Sequence, residues 1–172
     1  HIEPINFVEV YYTSRNSLPS VSQVQSINSF MKIKSNYDLL LRAQYLVELS
    51  EKFFSEEANN NPQLEILIET INQLSKTDHP DLVILVYEFE LLKSHGFGLR
   101  IFECLNCSKS LTKSSNYFSY TNGGFYCESC LGEVHANEEL VKFSVEDQVI
   151  FRSIERKTYN ELLNLDIKDL SI

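Results

Sequence analysis

The sequence predicts a mainly α-helical chain: a helical bundle interrupted by a four-cysteine ribbon and preceded by a short stretch of β structure. Three observations carry that reading. Apolar residues recur at helical spacing between Ser35 and Gly96 and again after Ser144. The 4 cysteines fall in two pairs, Cys104-Leu105-Asn106-Cys107 and Cys127-Glu128-Ser129-Cys130, separated by 19 residues. Before Ser35 the chain is rich in β-branched and aromatic residues with partial alternation.

The first element covers residues 2–12, Ile-Glu-Pro-Ile-Asn-Phe-Val-Glu-Val-Tyr-Tyr, and a second extended stretch runs from Leu18 to Ile27. Between them, Ser14-Arg15-Asn16-Ser17 has the composition of a turn. Two strands alone are marginal in water, so a pairing partner from outside this chain is expected. The chain opens on His1 rather than Met, and the expectation is that the natural start is missing or removed.

From Ser35 the period changes to that of a helix. Tyr37, Leu40, Leu41, Tyr45, Leu46, Leu49 and Phe53, with Leu39 and Val47 between them, make a helix apolar over most of its circumference. Such a helix is expected to be a central hub packed on several sides. Asn59-Asn60-Asn61-Pro62 then starts another helix, with Asn61 as N-cap and Pro62 at the first helical position. Its stripe of Leu64, Leu67, Ile68, Ile71 and Leu74 is narrower, which leaves a wet face. Asp78-His79-Pro80-Asp81 repeats the punctuation, and Leu82, Val83, Leu85, Val86, Phe89 and Leu92 lead to a stop at Gly96. His79 and His95 read as helix-boundary residues. The three helices form an up-and-down bundle with short loops. After the cysteines, Ser144-Val145-Glu146-Asp147 is a helix start, continued by Val149, Ile150 and Ile154. A further helix is suggested by Tyr159, Leu162, Leu163 and Leu165.

Each C-x-x-C turn is able to aim two sulfurs at one point, and two such knuckles complete a tetrahedron around zinc with bonds of about 2.3 Å. Between them, aromatic residues flank Thr121-Asn122-Gly123-Gly124, which supplies the positive φ angles of a tight hairpin turn. The expected result is a zinc ribbon at about residues 100–133, inserted between helices. Four protein ligands leave no open position, so the metal is structural and not catalytic. Two disulfides would need an oxidising compartment, and no signal peptide is visible; a thioredoxin-like redox pair is the weaker alternative. His135 stands close behind Cys130 as a possible substitute ligand, but with four sulfurs present it reads as a loop or cap residue.

Composition bounds the function. The 172 residues suit one ordinary domain or one and a half smaller ones. With 43% hydrophobic residues, 11 Phe and 9 Tyr, a sizeable core is expected, which excludes disorder. No apolar run approaches the roughly 20 residues of a membrane-spanning helix. Basic residues number 15 against 24 acidic, a net charge of -9, which argues against the whole surface being a nucleic-acid platform and leaves a local basic patch open. There is no Walker-type glycine loop and no Ser-His-Asp arrangement, so a nonenzymatic role is expected. The pairs Glu56-Glu57 and Glu138-Glu139 read as solvated faces. Glu48 reads either as a buried acceptor or as the polar edge of its helix.

The order of features resembles a known family. An extended segment is followed by an apolar helix containing Ala43-Gln-Tyr-Leu-Val-Glu-Leu49, then Pro-started helices ending in His-Gly-Phe-Gly98, then Cys-x-x-Cys and Gly-Gly-Phe-Tyr-Cys-x-x-Cys. This is similar to the bacterial RecO family of recombination mediators. The resemblance implies an OB-fold barrel followed by a helical domain carrying a zinc ribbon. On that reading residues 1–34 are the last strands of an incomplete OB-fold and residues 35–172 are the helical domain. A barrel has about five strands and roughly two are visible, so the chain is either a fragment of a longer protein or a shortened family member; the missing Met favours the fragment.

The resemblance further implies a cytoplasmic, nucleoid-associated accessory factor of the DNA damage and SOS response. It would bind single- and double-stranded DNA, anneal complementary strands, and with RecR help load RecA onto DNA coated by single-strand-binding protein. No small-molecule substrate is implied. Candidate phosphate contacts are Lys32, Lys34 and Arg42, and Arg152, Arg156 and Lys157 on the helix after the ribbon; a solvated helix face is the competing reading. Tyr117, Phe118, Tyr120, Phe125 and Tyr126 either stack on bases or pack against one another. The absent barrel is expected to supply much of the DNA affinity. A helical protein-interaction adaptor, stabilised by zinc and without a nucleic-acid role, is the alternative from a different class.

Overall fold

The structure, a computed structural model, describes residues 4–15, 18–54, 61–111, 113–134, 137–157 and 161. The chain divides into two compact units, His1–Tyr87 and Glu88–Ile172.

In the first unit, β1 (Phe7–Arg15) and β2 (Leu18–Asn28) form a two-stranded antiparallel sheet. The pairing runs through Val10 with Val24 and Tyr11 with Gln23, then shifts between Tyr11 and Tyr12 so that Tyr12 faces Val21. The strand expected over residues 2–12 therefore starts later, after a bend in which Ile5 takes a φ of 56°. It also ends later, because Ser14 and Arg15 still pair with Pro19 and Leu18. Residues 16–17, between the two strands, lie outside the described residues. Composition alone did not separate Ser14 and Arg15 from the turn, since polar residues suit an exposed strand end equally well.

A short helix, α1 (Met31–Lys34), follows. Its four residues are too few for a periodic signal. Asn36 then caps α2 (Tyr37–Phe53), its side chain accepting from the amides of Asp38 and Leu39 at 3.0 and 3.2 Å. α3 spans Asn61–Leu74 and α4 spans Pro80–Ser94. Proline begins α4, and Gly96 lies just past its end with a φ of 80°, as the punctuation predicts.

The packing of α2 corrects the expectation of a helix surrounded on several sides. Ala43, Leu46 and Ser50 form its buried stripe. Tyr37, Leu41 and Tyr45, spaced by four on another face, are 75%, 46% and 44% exposed. An apolar circumference measures the capacity to be covered; the number of neighbours decides how much of it is. The partners of the buried stripe are specific. The Ser50 hydroxyl meets the Tyr87 hydroxyl at 2.6 Å, and Arg42 engages Asp81. Arg42 precedes Ser50 on α2 as Asp81 precedes Tyr87 on α4, so the two helices run in the same sense. That is the relation of the first and third helices of an up-and-down bundle. Of the expected stripe α3 buries Leu67, Ile71 and Leu74, leaves Leu64 and Ile68 half-buried, and adds Thr70.

The second unit is built on a four-stranded sheet. β3 (Arg100–Cys104), β4 (Asn116–Ser119), β5 (Gly124–Tyr126) and β6 (Leu140–Phe143) lie in the order β3-β5-β4-β6. β4 and β5 are the expected hairpin, with Tyr117 opposite Tyr126 and Phe118 opposite Phe125. β3 joins β5 in parallel and β6 joins β4 antiparallel, two additions that the sequence reading missed. Both strands are too short to show alternation.

α5 (Val145–Arg156) starts where Ser144 predicts, and does so with a reciprocal capping box: the Ser144 hydroxyl accepts from the Asp147 amide at 3.1 Å, and the Asp147 carboxylate accepts from the Ser144 amide at 3.1 Å. The core beside this helix is Ile101, Phe118 and Phe125, with Phe143 and Phe151 packed against it. Phe118 meets Phe125 edge-on at 5.1 Å and Phe143 meets Phe151 at 5.1 Å, arrangements favoured by the ring quadrupoles. The helix expected around Tyr159 to Leu165 lies outside the described residues, apart from Glu161. Among the described residues no helix is long and apolar enough to cross a membrane.

Candidate metal centre

Pairing of β3 with β5 brings the two cysteine pairs together. Cys104 ends β3, and Cys127 directly follows β5 and leads into a 3-10 turn, Glu128–Glu133, that contains Cys130. The first knuckle closes by a bond from the Ser108 amide to the Cys104 carbonyl at 3.0 Å, with Ser108 in the left-handed region at a φ of 55°. The second closes from the Cys130 amide to the Cys127 carbonyl, also at 3.0 Å. The Leu105 amide donates to the Phe125 carbonyl at 2.8 Å, which ties one knuckle to the strand bearing the other.

All four sulfurs lie within 4.8 Å of one another. Cys107 and Cys127 stand 3.8 Å apart at sulfur. A disulfide would require about 2.05 Å. A tetrahedron with metal–sulfur bonds of about 2.3 Å has edges of about 3.8 Å, so the arrangement fits a four-thiolate ion site.

The electrostatics of the four thiols point the same way. Burial opposes ionisation of Cys104, but the amides of Cys107, Cys127 and Asn106 outweigh it and hold the thiol down to about 6. The Ser129 hydroxyl, 3.1 Å from the Cys127 sulfur, lowers that thiol against the effect of burial. Cys130 goes the other way. The Asn106 side chain favours its ionisation, but the Cys127 sulfur, burial, and the sulfurs of Cys107 and Cys104 together push it up to about 12. Four crowded sulfurs compete for negative charge, and a bound dication removes that competition.

Glycine at position 124 is a packing requirement of this centre. A Cβ there would lie 2.7 Å from the Arg100 carbonyl oxygen and 2.9 Å from a Leu105 methyl. Gly123 alone supplies a positive φ, 60°. The sequence reading had assigned both glycines to the turn. Glu138 also departs from its expected role on a solvated face: its carboxylate accepts from the Ser119 hydroxyl and the Asn122 side chain, bracing the hairpin turn. Glu139 is exposed, as expected, and Glu56 and Glu57 lie outside the described residues, as does His135. Glu48 proves to be the polar edge of α2, exposed and 3.2 Å from Lys52.

The basic residues divide into engaged and exposed ones. Arg152 is an internal strut: its Nε donates to the Ile101 carbonyl at 3.2 Å and its terminal nitrogen to the Gln148 side chain at 3.2 Å. Gln148 in turn is buried beside Asn116, which donates to it at 2.7 Å. Neither Gln148 nor Asn116 was singled out in the sequence, where an isolated amide carries no pattern. Arg42 pairs with Asp38 and Asp81, and Lys34 donates to the Asn6 side chain. Lys32 is exposed, Arg156 lies over the Phe102 ring at 4.9 Å, and Lys157 is half-buried at the end of α5. The hairpin aromatics also divide. Phe118 and Phe125 are core, Tyr117 lies under Lys142 at 5.9 Å, Tyr126 is half-buried, and Tyr120 is 65% exposed.

Fold and centre together define a class: a helical protein with a small sheet whose two knuckles present four thiols to one point. Residues 34–162 match the family model described as "Recombination protein O C terminal". The chain is 29% identical over 168 residues to the DNA repair protein RecO of Dehalococcoides mccartyi (strain CBDB1), covering 97% of this chain and 64% of the relative. Over 130 residues it is 32% identical to the protein of the same name from Dehalococcoides mccartyi (strain ATCC BAA-2266 / KCTC 15142 / 195), covering 76% and 51%. Caldicellulosiruptor saccharolyticus has a DNA repair protein RecO that is 29% identical over 148 residues, covering 86% and 59%. The chain belongs to the RecO family. It spans 64%, 51% and 59% of the lengths of these three relatives.

Proposed function

We propose that this chain works in recombinational DNA repair as a nonenzymatic mediator. It binds DNA, anneals complementary strands, and with RecR assists the loading of RecA onto DNA coated by single-strand-binding protein, in the cytoplasm and at the nucleoid. The observation that carries the reading is the family match over residues 34–162, which includes both knuckles and every described helix after α1.

Within that reading, β1 and β2 belong to an OB-fold and residues 35–172 to a helical domain with a zinc ribbon at about 100–133. Cys104, Cys107, Cys127 and Cys130 hold one structural zinc. The 3.8 Å sulfur separation supports the ligand set, and four thiolates favour zinc among the common divalent ions. With no position left open, the ion's chemistry is cohesion.

The test is binding of a single-stranded oligonucleotide by the metal-loaded chain at low and rising salt, with annealing of complementary strands measured alongside. Salt-dependent binding and faster annealing are expected. No binding at low salt with the barrel present would reject the mediator and leave the protein-interaction adaptor, which the internal engagement of Arg42 and Arg152 favours.

A further inference from the structure

A recess of about 280 Å³ lies in the first unit where the β2–α1 connection passes α3. Asn28, Ser29, Phe30 and Lys32 line one side, and Asn72 and Ser75 line the other. Its shape depends on an unusual backbone. Phe30 takes the left-handed conformation with a φ of 47°, which is uncommon for a bulky residue and persists only where the surroundings hold it. The Asn28 side chain holds it, accepting from the Phe30 amide at 2.9 Å and donating to the Asn72 side chain at 3.3 Å. The Phe30 carbonyl is itself fixed by the amides of Ile33 and Lys34.

The donors left over all favour one kind of ligand. Among the described residues, the Lys32 ammonium, the Ser29 hydroxyl and the Asn72 side-chain nitrogen make no bond to protein. The Asn72 oxygen is used by Asn28, so the remaining group of Asn72 is a donor. Among the described residues no carboxylate lines the recess, in a chain whose net charge is -9. A cation and neutral donors with no acid among them suit a phosphate oxygen.

We propose that this recess binds a phosphate of single-stranded DNA, with Lys32 as the charged contact and Asn72 and Ser29 as neutral donors. The site rests on the DNA-binding reading and deepens it by naming where the backbone is held. It also divides the basic residues: Lys32 touches DNA, whereas Arg42 and Arg152 serve the fold.

Two variants of the full chain test the site. Asn72→Asp keeps the oxygen that Asn28 uses and replaces the free donor with negative charge, and Lys32→Gln removes the cation from an exposed side chain. Both should keep the parental circular dichroism spectrum. With an oligo-dT probe, each should weaken binding roughly tenfold, and Lys32→Gln should lower the slope of log affinity against log salt by about one. Titration with inorganic phosphate should shift the Asn72 side-chain amide resonances of the parental chain. If the parental chain binds oligo-dT and both variants bind it equally with the same slope, the recess is not the site and the DNA-binding reading stands. If phosphate shifts Asn72 while oligo-dT affinity ignores both variants, the recess takes free phosphate and the DNA contact is overturned. If the parental chain fails to bind oligo-dT at low salt, this site is overturned, whereas the functional reading falls only if the chain joined to its barrel also fails to bind.

Discussion

The Nε of Arg152 on α5 donates to the carbonyl oxygen of Ile101 on β3, 3.2 Å away and three residues before the first metal-site cysteine. Burial lowers the pKa of this guanidinium, and the neighbouring Arg156 lowers it further, yet no carboxylate among the described residues is paired with it. A half-buried cation held by a carbonyl and an amide is a structural member of its unit. Arg152→Ala should destabilise the fold by about 1–2 kcal/mol in denaturant titration. The salt slope of oligonucleotide binding should stay parental. A slope reduced by about one, with stability intact, would return Arg152 to the DNA surface.

The metal centre predicts one zinc per chain in protein purified under reducing conditions. Cys127→Ser or Cys104→Ser should abolish stoichiometric zinc, because the site then lacks a thiolate and folding of the second unit is linked to metal binding. Ser129→Ala removes only the hydroxyl near Cys127, and zinc affinity should fall by about tenfold. Thiolates bind metal and protons compete for them, so zinc should be released as pH falls. A metal assay that finds almost no zinc in the parental protein would reject the centre.

The two glycines of the hairpin should respond differently. Gly123→Ala faces mainly the cost of a positive φ, about 1 kcal/mol, since the nearest atom to its Cβ is a Leu99 methyl at 3.5 Å. Gly124→Ala has no such penalty but places a methyl 2.7 Å from the Arg100 carbonyl, which must force β3 from β5 at a cost of about 1–3 kcal/mol. Because β3 carries Cys104, only the second variant should also weaken zinc binding. Equal zinc affinities for the two variants would show that this strand contact does not set the sulfur geometry.

Tyr87 predicts an alkaline limit to the stability of the helices. Burial holds its phenol above the usual value, against the effect of the Ser50 hydroxyl. The folded chain therefore keeps a proton that the unfolded chain begins to lose near pH 10, and this contribution is present below about pH 10 and declines above it. Tyr87→Phe should cost about 1 kcal/mol at neutral pH through the lost hydrogen bond. It should also flatten the alkaline decline of Tm. An unchanged alkaline slope would place the responsible titration elsewhere.

Arg42 offers a further contrast with Lys32. Its guanidinium is already paired with Asp38 and Asp81, so Arg42→Ala should leave oligonucleotide affinity near parental while loosening the link between α2 and α4. Hydrogen exchange along those helices would report the loosening, and a large loss of DNA affinity would contradict it.

Residues that act through local rules were legible in the sequence. Pro80 and Gly96 bound α4, Ser144 and Asp147 form the cap of α5, and the β4–β5 hairpin turns where Gly123 permits a positive φ. Less legible were β3 and β6, whose few residues gain their strand character from the neighbours they pair with. The basic residues were the least legible. Lys32, Arg42 and Arg152 look alike as letters, and only their surroundings show one exposed in a recess and two engaged in bonds.

By itself, then, the sequence determined the four thiols, their pairing into two knuckles, the apolar helices and the family to which the chain is similar. Spacing along a chain specifies these, because a C-x-x-C turn or an i, i+4 stripe is a property of neighbouring residues. Tertiary structure alone decided that the two knuckles meet with sulfurs 3.8 Å apart, that Gly124 must be small, and which basic residues remain available to a ligand. Those depend on pairings between residues distant in sequence. Whether a charge is spent on a carbonyl, a carboxylate or solvent is settled only when those distant groups arrive.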